Sequence, residues 1–122
     1  MENKILNLTQ HVATEEQVAE GVFEPTDKKL VQDLLTFDSV PNKGEMCAKA
    51  FVLACIAKEH DAKSAMIGGA PYFMSTLEKV LLDNGITPMY AFSVRTCVET
   101  VQPDGTVQKS SVFKHTGFYV VE

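Results

Sequence analysis

Three groups of residues in this chain have the types and spacing to do chemistry on a small anionic ligand. The first is Thr9, Gln10 and His11, a hydroxyl, an amide and an imidazole in a row. The imidazole titrates near neutrality and suits a general acid or base, or a donor to a phosphate oxygen. A histidine that only caps a loop is the plainer alternative. The second group is Gly68, Gly69, Ala70 and Pro71. Glycine lets a backbone approach a ligand closely, and proline suits the first position of a helix, whose free N–H groups attract anions. The same glycines can equally serve only the geometry of a tight turn. The third group is Ser93, Arg95 and His115. Arg95 carries a planar fork suited to phosphate or carboxylate, or else is an exposed strand charge.

None of these groups carries a Walker loop, a dinucleotide fingerprint or a nucleophile elbow. His11, His60 and His115 are far apart and lack companions at ligand spacing, so no metal site and no cofactor are expected. Cys47, Cys55 and Cys97 lie in apolar runs and read as reduced core thiols of a cytoplasmic protein. Met46, Met66, Met74 and Met89 read as core fillers.

The elements that must position these groups follow from periodicity and caps. A strand is expected over Lys4–Thr9, ending abruptly at polar residues. Thr14 and Gln17 have the spacing of a capping box, which opens a short helix to about Glu20, with Gly21 as its left-handed exit. Pro25 and Thr26 open a second helix reaching about Phe37. The third and longest helix is expected from Lys43 to His60, with Met46, Ala50, Leu53, Ala54 and Ala57 in one stripe flanked by Phe51 and Cys55. Ser64–Ile67 reads as a buried strand, residues 71–84 as a helix closed by Gly85, and Thr87–Val101 as a long strand.

The turn signature at Gln102–Thr106 sets a hairpin at the end of the chain. A two-residue loop would make Pro103 a ladder position that needs an N–H, so a three-residue loop with Gly105 left-handed is expected. That register pairs Val101 with Val107, Glu99 with Lys109, Arg95 with Phe113 and Ser93 with His115. It groups Ser93, Arg95 and His115 on one face, with Tyr90, Phe92, Val94, Val98, Val112 and Phe118 on the other.

Strands separated by helices point to parallel pairing through crossovers. The expectation is one α/β domain over residues 1–122, small and Rossmann-like, with a mainly parallel three-stranded sheet flanked by helices and a C-terminal antiparallel hairpin. A ligand site then lies beyond the carboxyl ends of the strands. With 122 residues the domain can bury a sizeable core. A formal charge of −5 argues against wrapping long nucleic acid, and no apolar stretch suggests a leader or a membrane span.

The run Ile5–His11 followed by Thr14–Gln17, together with Met66–Pro71, resembles the small stand-alone CRISPR-associated proteins related to the CARF (Rossmann-like) ring nucleases, and similar phage and mobile-element proteins. The likeness covers about a fifth of the chain. The segment between Gly21 and His60 departs from that pattern. The resemblance implies a homodimer or higher homo-oligomer handling a cyclic oligoadenylate signal of antiviral defence without metal. It makes His11 the acid or base, Arg95 the charge partner, and Gly68, Gly69 and Ala70 the phosphate cradle. Thr9, Gln10 and Ser93 then position the nucleotide, with His115 beside them. Read from the residues alone, a non-enzymatic adaptor using the hairpin Ser93–Lys114 stays open, as does a small transferase or hydrolase acting on a nucleoside.

Overall fold

A computed structural model describes residues 4–122, including all side chains but those of Arg95, Thr96, Val98 and residues 110–113. The chain runs β1 (Ile5–Leu8), α1 (Glu15–Ala19), β2 (Val22–Phe23), α2 (Lys28–Leu34), α3 (Lys43–Glu59), β3 (Ser64–Ile67), α4 (Pro71–Asp83), β4 (Thr87–Val101) and β5 (Val107–Val120). The strands form one mixed sheet in the order β2-β1-β3-β4-β5. β2, β1, β3 and β4 are parallel neighbours, and β5 returns antiparallel to β4. The parallel part of the sheet thus has four strands rather than three, because the two-residue strand β2 extends it beyond β1, and the expected hairpin strand β5 is the fifth.

Local chemistry explains most boundaries. Thr14 and Gln17 close both bonds of the capping box at the start of α1. The second helix does not open at Pro25; it starts at Lys28, where the Asp27 carboxylate accepts the Leu30 N–H at 3.1 Å. It also stops at Leu34, short of Phe37. Asn42 caps α3 by accepting the Glu45 N–H at 2.8 Å, and Pro71 occupies the first turn of α4. Gly21 and Gly85 both take positive φ at helix exits.

The core lies mainly on one face of the sheet. Leu6, Leu8, Ala65 and Ile67 from the strands meet Leu53, Ala54 and Ala57 of α3 and Phe73, Leu77 and Leu81 of α4, all buried. The small residues of α3 allow it to lie close to the strands. Phe51, expected to flank this stripe, instead faces solvent. Cys47 and Cys55 are half-buried and Cys97 is exposed, so the three thiols are not core residues. On the opposite face a smaller cluster joins Ile5, Val22 and Met66 to Ala13, Met89 and Phe118.

The hairpin has the expected register: Val101 faces Val107, Glu99 faces Lys109, Arg95 faces Phe113 and Ser93 faces His115. The Gln102 N–H donates to the Thr106 carbonyl at 2.7 Å, and Gly105 is left-handed. One expectation fails further down. A bulge places Phe92 opposite Gly117, leaving Thr116 without a partner residue and bringing Phe118 opposite Ala91. Phe118 therefore joins the His115 face, with the two rings edge to face at 5.0 Å, rather than the Tyr90 face. The side chains of Val98 and Val112, also assigned to the Tyr90 face, lie outside the described residues. Among the described residues no helix is long and apolar enough to cross a membrane.

Candidate functional site

The carboxyl ends of β1 and β3, and the stretch of β4 beside them, open on one cleft of about 390 Å³. The loop after β1 contributes Thr9, Gln10, His11 and Val12, and α1 contributes Thr14 and Gln17. The end of β3 brings Gly68 and Gly69, and β4 brings Tyr90 and Ala91. Five of the expected residues, Thr9, Gln10, His11, Gly68 and Gly69, therefore meet in one place although they come from two distant segments of the chain.

What fixes the first loop is a buried polar cluster behind it. Asn7 sits within β1, an interior strand of the sheet, and is completely buried. Its carboxamide nitrogen donates to the His11 carbonyl at 2.7 Å and to both Glu24 oxygens at 3.0 Å, while its oxygen accepts from the Thr9 N–H at 3.0 Å and the Thr9 hydroxyl at 2.6 Å. The Lys28 ammonium donates to the Thr9 and His11 carbonyls at 2.8 and 2.9 Å and lies 3.1 Å from Glu24. Glu24 also accepts the Ala13 N–H at 2.8 Å. Partial burial draws the Glu24 pKa upward, but the hydrogen bonds from Ala13, Asn7 and Lys28 and the ammonium's charge outweigh it and hold the carboxyl below its ordinary range. Gln32 donates to the Gln10 carbonyl at 3.0 Å.

These bonds decide what the loop offers a ligand. With the Thr9, Gln10 and His11 carbonyls all engaged from behind, and N–H opposite C=O in each trans peptide, the N–H groups of Gln10 and Val12 face away from Lys28 and Asn7. The His11 N–H between them donates to the Thr9 hydroxyl at 3.4 Å, which leaves the Gln10 and Val12 N–H groups as the loop's donors to an anion.

The glycine turn divides into two roles. Gly69 has φ +149°, a backbone region in which a side chain is strained, so its glycine serves the turn itself. Gly68 does not: a methyl there would touch only the Thr9 methyl, at 3.7 Å, which is ordinary contact. Its lack of a side chain keeps the backbone open toward the cleft. Tyr90 closes the far wall with its hydroxyl donated to Glu78; burial first, and then that carboxylate, push its pKa upward.

The remaining expected residues stand elsewhere. Ala70 caps α4 through its carbonyl and packs against the core. Ser93 and His115 face each other across the hairpin, outside the cleft lining. His115 is nearly buried, with Nε2 3.2 Å from Glu20 but not aligned for a hydrogen bond. Arg95 is placed by its backbone alone, and its side chain lies outside the described residues. His60 ties the end of α3 to the segment before α2: Nδ1 lies 2.7 Å from the Ile56 carbonyl, and Nε2 accepts the Thr26 N–H at 3.0 Å. Among the described residues no three His, Cys, Asp or Glu side chains converge as metal ligands.

Residues 3–119 match the Uncharacterized protein MJ1673 family. No curated protein and no solved structure matches the chain.

Proposed function

The chain belongs to the Uncharacterized protein MJ1673 family, and we propose that it binds a small anionic ligand of nucleotide type in the cleft at the strand ends. One observation carries this reading: a loop with its carbonyls held from behind and a glycine turn, where a side chain at Gly68 would meet only the Thr9 methyl, line the same cleft. The volume falls in the range of small-ligand sites. Among the described residues no carboxylate lines the cleft, and no lysine or arginine does either. Affinity for phosphate then rests on N–H groups, Thr9, Gln10 and His11, and depends little on salt compared with a basic surface.

The finer reading is that the ligand is a cyclic oligonucleotide signal of prokaryotic antiviral defence, and that the protein opens it without metal. The three parallel strands with helical connections support a Rossmann-like site of this kind. In such a reaction the ribose 2′-oxygen bonds to phosphorus, the bond from phosphorus to the 5′-oxygen breaks, and the proton leaves the 2′-hydroxyl as another reaches the 5′-oxygen. His11 serves as the base or the acid, and the N–H groups at Gly68 and Gly69 stabilise charge on the phosphoryl oxygens.

Incubation with cyclic oligoadenylates, followed by chromatography of the ligand and a thermal shift of the protein, tests both levels. Binding with cleavage that His11→Ala abolishes supports the enzyme. Binding with intact ligand leaves a sequestering protein, and no shift with any nucleotide overturns the reading.

A second reading concerns the hairpin. Every described residue from Ala91 to Lys109 is exposed apart from Gln102, and β5 is an open edge. A two-stranded ribbon is marginal by itself in water, and Val94, Val101 and Val107 on it are apolar. We propose that it pairs with the same ribbon of a second copy. Light scattering that returns a monomer mass at all concentrations would count against this.

A further inference from the structure

We infer that a second hollow, beside the cleft, is a stacking subsite for the purine base of the ligand; the inference rests on the nucleotide reading above and names the part of the ligand that this hollow takes. The hollow measures about 360 Å³ and is walled by residues 37–41, between α2 and α3, and by Tyr72 at the start of α4.

Its floor is an ordered aromatic chain. The Tyr72 ring meets Phe37 edge to face at 5.5 Å and 62°, and Phe37 meets the fully buried Phe73 at 5.2 Å and 65°. The Lys49 ammonium sits 4.2 Å from the Phe37 ring centre, held by the Thr36 carbonyl at 2.8 Å. Phe37 is therefore fixed from two sides, while Tyr72 keeps 53% of its surface open and Val40 keeps 95%. A half-open aromatic ring on a rigid support loses little freedom when a flat ring settles on it. Asp38 and Ser39 line the same hollow. A carboxylate accepts from the exocyclic amine or ring N–H of a purine, and a hydroxyl bonds to either kind of edge group.

Two links join this hollow to the cleft. Gln10, on the cleft wall, donates through its amide to the Thr36 hydroxyl at 3.0 Å, and Thr36 precedes Phe37. Tyr72 follows Gly69 by three residues, so their Cα atoms are at most about 11 Å apart. A phosphate held at Gly68 and Gly69 thus leaves its sugar and base within reach of Tyr72. A purine nucleotide fits both parts, with its anionic end in the cleft that has no carboxylate and its base beside Asp38.

Calorimetric titration with adenosine 5′-monophosphate and with ribose 5-phosphate tests the subsite. The unaltered protein is expected to bind the nucleotide roughly tenfold or more tightly than the sugar phosphate. Tyr72→Ala should bring the nucleotide down to the sugar phosphate's affinity without changing the latter, and Tyr72→Phe should retain the difference. Because the chain has three tyrosines and no tryptophan, quenching of tyrosine emission by the nucleotide, lost in Tyr72→Phe, reports the stack directly. Equal affinities in the unaltered protein, or a Tyr72→Ala variant that binds the nucleotide undiminished, overturn the subsite and leave the cleft reading standing. If neither compound binds, the cleft reading falls and the subsite falls with it.

Discussion

The Asn7 carboxamide and the Glu24 carboxylate face each other with the amide nitrogen 3.0 Å from both carboxylate oxygens. A side chain in the interior strand β1 is thereby joined to the residue that follows the edge strand β2, and the loop carrying His11 is pinned between them. Asn7→Ala should destabilise the fold by about 2–4 kcal/mol, because it leaves buried partners without their bonds. Urea unfolding measures this. An unchanged midpoint would mean that Lys28 and Gln32 hold the loop unaided.

Glu24 makes part of that arrangement depend on pH. Its carboxyl is held below the ordinary range in the folded protein, so its contribution is full above the unfolded value and is lost as pH falls through the folded one. Stability, and with it ligand affinity, should decline together as the solution is acidified through and below the usual carboxylate range. Glu24→Gln should flatten this part of the profile in denaturant titrations at a series of pH values. A parallel profile in the variant would assign the acid response to other carboxylates.

Much of this organisation was legible in the sequence, and the misses have physical reasons. The hairpin register followed from Pro103, which cannot donate to a ladder, and from the pairing of Glu99 with Lys109. The bulge at Thr116 was missed because period-two alternation has no way to register one extra residue; Gly117, with φ +150°, marks the place. The strand Val22–Phe23 is too short for any periodicity to show. Thr9, Gln10, His11, Gly68 and Gly69 were found because strand ends and a glycine turn are local signals. Asn7, Glu24 and Lys28 were not, although a polar residue inside an apolar strand demands partners, and Glu24 and Lys28 have the spacing of a helical ion pair. Their meeting depends on β1 and β2 being neighbours. Ser93 and His115 were paired correctly but assigned to a cleft that their strands carry them past.

The two glycines of the turn should respond oppositely to the same change. Gly69→Ala places a side chain at φ +149° and is expected to cost about 1–3 kcal/mol. Gly68→Ala should alter stability by no more than about 1 kcal/mol while weakening the ligand. Thermal unfolding with and without ligand separates the effects. A Gly68→Ala protein that binds undiminished would show that the ligand does not approach this backbone.

Removing Thr116 alone would leave Phe118 opposite Ala91 in an unbroken ladder, whereas removing Thr116 and Gly117 together would bring it opposite Phe92 and move it to the other face, away from Ile5, Val22 and Met66. Loss of that packing should cost about 3 kcal/mol or more. Thr116→Ala, which keeps the extra residue, should stay within about 0.5 kcal/mol of the unaltered protein. Equal stability of the two-residue deletion and the substitution would show that the packing of Phe118 contributes little to the fold.

The order of strands in the sheet has a consequence for how the chain is made. β1 lies between β2 and β3, yet β3 is synthesised long after β2. At about 5–20 residues per second, the ribosome takes roughly 2–9 s to pass from Val22 to Ile67. Throughout that interval one side of an apolar strand has its future neighbour still untranslated. The charged and alanine-rich helix α3, which emerges within it, is the segment able to shield Leu6 and Leu8 before the sheet closes.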